Sequence, residues 1–167
     1  MNIEKFNNAI KNKISAKYEL REDVDNYGNS SVWIILSNKN DIEAVANAVK
    51  AYKGRCIVAT AYKNDDDTHT MIYHFDIAGL IVNVQIQTDD KSIISITPIL
   101  PSANWAEREA REMYGIEPIG HPNKDRLFLD HSITKGVLNE YISLSKIQMG
   151  VSETDILWDN VNKGIEQ

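Results

Sequence analysis

Only one cysteine, Cys56, occurs in the 167 residues. A lone thiol cannot close an internal disulfide, complete a cysteine-ligated zinc site or supply a four-cysteine iron–sulfur centre. Apolar runs are short, and none approaches the roughly 18 residues needed to span a bilayer. The N-terminal MNIEKFNNAIKNK is polar and lacks the apolar core of a secretion signal. A reducing, cytoplasmic setting is expected, with any membrane attachment made through another polypeptide. Basic charge is also scarce. Lys and Arg total 18 against 24 Asp and Glu, a net charge of −6. That balance argues against a general nucleic-acid binder, which needs a basic face for phosphates. Catalytic signatures are missing as well: there is no GxGxxG, P-loop, GxSxG or HExxH.

What is present suits one domain with a real core. Hydrophobic residues make up 43% and charged residues 25%, ordinary values for a globular chain. Ile3, Phe6, Ile10 and Ile14 share one helical face over 2–15. Residues 17–24 and 31–37 read as strands joined by a turn at Asn26-Tyr27-Gly28. A second helix follows, capped by Asn40 or Asp41, with Ile42, Val45, Ala46, Val49 and Tyr52 on one side and Gly54 as its stop. Four strand-like runs come next, over 55–62, 70–77, 80–87 and 92–97. In the third, Leu80, Val82, Val84 and Ile86 alternate with Asn83, Gln85 and Gln87, the pattern of a half-buried strand with a wet face. Asn64–Asp67 and Asp89–Lys91 are hairpin-type turns. Short connections favour antiparallel pairing. The expected fold is an α+β two-layer sandwich, a mostly antiparallel sheet with helices on one face. Residues 1–130 form the domain and 131–167 a less regular C-terminal extension, with a short helix starting near Ser152 and carrying Ile156, Leu157 and Trp158.

Candidate chemical groups reduce to structural ones. His69 and His74, five residues apart on a strand, point to opposite faces roughly 16 Å apart and cannot share a metal. Strand surface or partner contact is their expected role. Asp65, Asp66 and Asp67 fan out from a turn without EF-hand spacing. Cys56, in an apolar strand, reads as a buried inert thiol.

The informative segment is PILPSANWAEREAREMYGIEPIGHPNKDRLFLD, residues 98–130. Asn104 and Glu107 form a capping-box pattern for a helix over 105–114, stopped by Gly115. Glu107–Arg111 and Arg108–Glu112 are i,i+4 pairs, each contributing only about 0.2–0.5 kcal/mol on an exposed helix. Two readings remain: a solvated helix that simply carries charge, or an ionic docking face with Trp105 and Tyr114 as anchors. Gly115, Pro118, Gly120 and Pro122 shape the loop after it. His121 within that loop either bonds a neighbouring polypeptide or holds the loop together. A free-standing enzyme using Glu107, Glu109 or Glu112 with His121 would need a pocket and a raised carboxylate pKa. A small interaction module unrelated to redox chemistry is the other competing class.

The run NW-x-ERE-x-x-E-MYGI-x-x-x-GHP resembles the signature of the complex I C-subunit family, the accessory hydrophilic subunit beside the quinone-reducing large subunit of NADH:quinone oxidoreductase. Relatives of that family occur in energy-converting [NiFe] hydrogenases and formate hydrogenlyase. Trp105, Glu107, Arg108 and Glu109 match the tryptophan and the Glu-Arg-Glu core. Glu112 stands at the Asp/Glu position, Met113, Tyr114, Gly115 and Ile116 at the helix end, and Gly120, His121 and Pro122 at the Gly-His-Pro loop. The resemblance implies an accessory subunit that binds no cofactor. Its implied partners are a large catalytic subunit and a neighbouring iron–sulfur subunit, met through Trp105, Glu107, Arg108, Glu109, Arg111, Glu112, Tyr114, His121, Pro122 and Arg126. After Gly-His-Pro, complex I members usually carry a leucine and two basic residues; here Lys124 and Asp125 replace the first two and only Arg126 remains. The family's later Leu-Arg-Lys-Asp-Tyr-Pro stretch is absent. These departures lean the expectation toward the hydrogenase branch.

Overall fold

The computed structural model describes residues 3–28 and 30–139. The helix expected near Ser152 lies outside the described residues. Helix α1 (Ile3–Lys11) buries Phe6 and Ile10, one turn apart on the predicted face. Strands β1 (Tyr18–Val24) and β2 (Ser30–Leu36) follow, then helix α2 (Ile42–Ala51), β3 (Arg55–Lys63), β4 (His69–Ile77), β5 (Leu80–Thr88) and the short β6 (Ser92–Ile94). Helix α3 (Asn104–Tyr114) and the short β7 (Glu117–Ile119) complete the named elements.

The main sheet is five-stranded, in the order β1-β2-β5-β4-β3. It is mostly antiparallel, with one exception: β2 and β5 run parallel, Trp33 opposite Asn83. An alternating sequence pattern specifies faces but not neighbours, and so does not disclose this pairing. The core side of the sheet carries Val32, Ile34, Tyr73, Phe75, Val82 and Val84, and Phe6, Ile10, Val45 and Val49 from the helices complete the cluster. Fully burying each such side chain contributes about 1.5–3 kcal/mol.

Several local expectations are corrected. The Asp89–Lys91 turn closes no hairpin, because β6 leaves the main sheet and pairs in parallel with β7. Asp90 instead collects donors from Thr88 Oγ1 (2.7 Å), Ser92 N (2.9 Å) and Ser92 Oγ (2.8 Å) and forms an ion pair with Lys39. These contacts, Lys39 foremost, hold its carboxyl well below the usual range. Neither Asn40 nor Asp41 caps α2 with its side chain. A 3-10 turn (Lys39–Asp41) precedes the helix and is capped by Asn38, whose side chain accepts from Asn40 N at 3.1 Å. Asp41 turns away to accept from Ser15 N, Ser15 Oγ and Ala16 N, tying the link after α1 to the start of α2.

At the other end of α2, Lys53 rather than Gly54 takes the left-handed conformation, at φ 57°. Gly54 is required for space: a Cβ there would lie 2.8 Å from the Asp76 carbonyl oxygen and from Val49 Cγ1. The wet face of β5 is drier than expected too, since Asn83 is buried and bonded to His74 Nδ1 at 2.7 Å.

Candidate functional site

Helix α3 has a 3-10 turn (Pro101–Ala103) leading into it, so Asn104 is already helical and makes no cap. The capping box is therefore not formed, and Glu107 is free to turn inward. Its side chain is fully buried. Oε1 accepts from Tyr73 Oη (2.9 Å) and Ile96 N (2.7 Å). Oε2 accepts from Ser95 Oγ (2.5 Å) and Thr97 Oγ1 (2.7 Å). A buried carboxylate is tolerated only when such donors replace its water. Burial, with the adjacent Glu107 charge, pushes the Tyr73 phenol well above its ordinary value. The same two causes push the Cys56 thiol up to about 12. Cys56 is buried at the start of β3.

The expected i,i+4 pairs are not made, because each partner binds elsewhere. Arg108 donates from Nη2 to the Arg126 carbonyl (2.6 Å) and from Nε to the Asp125 carbonyl (3.3 Å). Arg111, also buried, donates from Nη2 to the carbonyls of Lys124 and Asp125, both at 2.6 Å. Glu112 accepts the backbone N–H groups of Leu127, Phe128 (2.9 Å) and Leu129 (3.2 Å). Burial alone would raise Glu112, but those three donors and the Arg126 charge outweigh it and hold the carboxyl below its ordinary value. This is the opposite of what a general acid at neutral pH requires.

His121 is buried and closes its own loop. Nδ1 lies 2.6 Å from the Asn123 carbonyl oxygen and 3.0 Å from Asn123 N, while Nε2 faces Glu107 Oε2 at 3.8 Å. Of the two roles left open for this histidine, the structure shows the loop-holding one. Gly120 takes φ 82° just before it. Arg126 donates from Nη2 to the Ile133 carbonyl (2.6 Å), and Gly136 N donates to the Glu112 carbonyl (2.7 Å), so residues 131–139 pack back onto α3.

The expected contact residues thus separate into two groups. Glu107, Arg111, Glu112 and His121 are buried and cannot themselves be an exposed ionic face. Arg108, Tyr114 and Arg126 are half-buried, and Trp105, Glu109 and Pro122 are exposed. Trp105 is 64% exposed and meets the edge of Phe128, 57% exposed, at 5.8 Å between ring centroids. Phe128 was not singled out from the sequence, although it lies within the loop whose backbone Glu112 holds.

His69 and His74 do point to opposite faces. His69 is buried on the core side and bonds Asn139 Oδ1 at 2.9 Å, which corrects its expected surface position. His74 stands on the other side beside Trp33. Asp66 accepts from Thr68, and Asp67 pairs with Lys63 at 2.7 Å, as a turn does. Among the described residues, no group of three or more His, Cys, Asp and Glu side chains is placed to hold a metal ion.

Fold and site together define a hydrophilic α+β domain whose ionic helix is turned inward to brace a loop. Residues 35–144 match the family described as respiratory-chain NADH dehydrogenase, 30 Kd subunit, and the chain belongs to that family. The C subunit of NADH-quinone oxidoreductase from Caulobacter sp. (strain K31) is 39% identical over 75 residues, 42% of this chain and 34% of that protein. Hydrogenase-4 component G of Escherichia coli (strain K12) is 42% identical over 50 residues, 30% of this chain and 9% of that protein. Formate hydrogenlyase subunit 5 of the same organism matches to the same extent, 42% over 50 residues. The matched region therefore spans about a third or less of these curated relatives.

The fold recurs in the trypsin-resistant fragment of Nqo5, with TM-score 0.54, 19% identity, and 74% of this chain and 99% of that one covered. It recurs also in the membrane-bound sulfane sulfur reductase, an archaeal respiratory membrane complex, with TM-score 0.58, 13% identity, and 90% and 92% covered. Among the described residues, no helix is long and apolar enough to cross a membrane.

Proposed function

We propose that this chain is a cofactor-free accessory subunit of a membrane-attached, complex-I-like oxidoreductase, and that it docks on the large catalytic subunit beside an iron–sulfur subunit. Its place is peripheral, on the cytoplasmic side. The observation that carries this reading is the exposed Trp105–Phe128 pair. Two large aromatic rings in water are costly unless a partner covers them, and such rings dominate interface energies. Glu109, one helical turn after Trp105, is exposed as well, and so is Pro122. The buried members, Glu107, Arg111, Glu112 and His121, act as positioning residues that fix the loop carrying Phe128. Electron transfer takes place in the neighbours. The lone thiol of Cys56, buried and hard to ionise, supports that assignment.

The branch proposed is an energy-converting [NiFe] hydrogenase or formate hydrogenlyase, on the Lys124 and Asp125 departures and the likeness to hydrogenase-4 component G. A respiratory NADH:quinone oxidoreductase is the second reading, favoured by the longer 75-residue likeness to a C subunit of that enzyme. The test is native purification of the assembly with wild-type chain and with the Trp105→Ala/Phe128→Ala variant. Loss of the large subunit from the variant, with the domain still folded, is expected. Full recovery would remove the docking role. The identity of the large subunit decides the branch, and iron analysis of the purified chain tests the cofactor-free assignment.

A further inference from the structure

A neutral imidazole carries its hydrogen on one ring nitrogen or the other, and the surroundings of His121 suit neither form. Nδ1 lies 2.6 Å from the Asn123 carbonyl oxygen. At that separation the nitrogen must carry the hydrogen, because two lone pairs so close repel. The Asn123 N–H, 3.0 Å from the same nitrogen, is the weaker contact of the two. A neutral ring protonated at Nδ1 would turn a bare Nε2 lone pair toward Glu107 Oε2, 3.8 Å away. Nε2 is buried and has no hydrogen-bond partner. A neutral ring protonated at Nε2 would instead set the Nδ1 lone pair against the Asn123 oxygen. The doubly protonated ring gives both nitrogens a suitable neighbour.

The needs of Glu107 point the same way. Its four hydrogen-bond donors replace water but bring no positive charge. Arg111, one turn further along α3, directs Nη2 to the carbonyls of Lys124 and Asp125, and its Nη1 lies 4.0 Å from Glu117. Around Glu107, the Tyr73 phenol of β4 and the Cys56 thiol of β3 are both pushed up by burial and by the Glu107 charge, so neither adds a charge at neutral pH. Among the described residues, His121 is the one basic side chain within 4.0 Å of the Glu107 carboxylate. We propose that His121 is an imidazolium at neutral pH and forms a buried ion pair with Glu107, so that a proton latches the Gly-His-Pro loop to α3. Loss of that proton sets a lone pair against a carboxylate in a dry site, so the latch is closed at low pH and opens as pH rises. This is the reverse of Glu112, whose contribution is lost in acid. The latch is internal to the domain and holds whether or not Trp105 and Phe128 meet a partner.

The experiment uses the full chain with nitrogen-15 in the rings of its four histidines. The signals missing from His121→Gln are those of His121. At pH 7.5, about one unit above the ordinary histidine value, both ring nitrogens of His121 should resonate as protonated. A nitrogen in the unprotonated range there overturns the proposal. In Glu107→Gln the same ring should be neutral at pH 7.5, and a ring still doubly protonated would show that Glu107 is not its partner charge. A second measurement needs no variant in the pair. As the wild-type ring loses its proton on raising pH, protection of the backbone amides between 119 and 124, corrected for the intrinsic effect of pH on exchange, should fall at least tenfold. Protection that does not change across that titration overturns the latch.

Discussion

Arg111 and Glu112, adjacent in helix α3, grip one loop by opposite polarities: Arg111 takes the carbonyls of Lys124 and Asp125, and Glu112 takes the N–H groups of Leu127, Phe128 and Leu129. Neither residue spends its charge on a helical neighbour. A segment with little regular structure is thereby given backbone partners on both sides of Arg126.

Arg111→Lys should loosen this loop. Both carbonyls are taken by one terminal guanidinium nitrogen, Nη2, and the shorter lysine side chain places its single ammonium short of that point. The expected loss is about 1.5–3 kcal/mol, the range for a hydrogen bond to a charged group, with faster proteolysis confined to residues 123–130. Unchanged urea stability and cleavage pattern would contradict the bracing role.

Glu107→Ala should be strongly destabilising, since it strands Tyr73, Ser95, Thr97 and the Ile96 N–H together in a dry site, each unpaired donor costing about 1–3 kcal/mol. Glu107→Gln keeps an acceptor and should cost less. Equilibrium denaturation of both at neutral pH checks the order, and equal losses would mean that the hydrogen-bonded charge is unimportant.

Stability should fall in acid partly through Glu112. Its carboxyl titrates lower in the folded chain than the ordinary 4.5. Its contribution is therefore complete above about pH 4.5 and is lost as pH drops through the folded value. The stability gap between wild type and Glu112→Gln should narrow from pH 5 downward. A gap of constant size between pH 7 and pH 3 would count against this.

Cys56 should resist thiol reagents in the folded chain at pH 8, because its thiol is buried and titrates near 12. One equivalent should react after denaturation in urea. Rapid reaction in native buffer would overturn the burial.

At the end of α2, two neighbouring substitutions should act in opposite senses. Gly54→Ala forces a Cβ against the Asp76 carbonyl and should destabilise by about 1–3 kcal/mol, as overpacking does. Lys53→Gly relieves a left-handed φ of 57°, which costs a side-chain-bearing residue roughly 1–2 kcal/mol. Thermal melts of the two variants give the comparison directly.

These cases show what a local pattern conveys. The alternation in β5 and the face of α1 were legible because burial repeats with the strand or helix period. The left-handed Gly115 was legible because its role is local. Asn104 and Glu107 have capping-box spacing whether or not the box forms. What decided the matter was a set of hydroxyls that includes Tyr73, thirty-four residues away. Gly54 looked like a helix stop for the same reason, although the constraint comes from strand β4. The importance of Trp105 and of the Gly-His-Pro loop came through family resemblance, while Phe128 needed the fold to bring it beside Trp105.

The parallel pairing of β2 with β5 joins Ser31 to Ile81, fifty positions further along the chain. During synthesis the hairpin of β1 and β2 must therefore leave the ribosome with one edge unmatched, and it waits for some fifty residues before its neighbour exists. Ordering of the sheet centre is a late event in the life of the nascent chain.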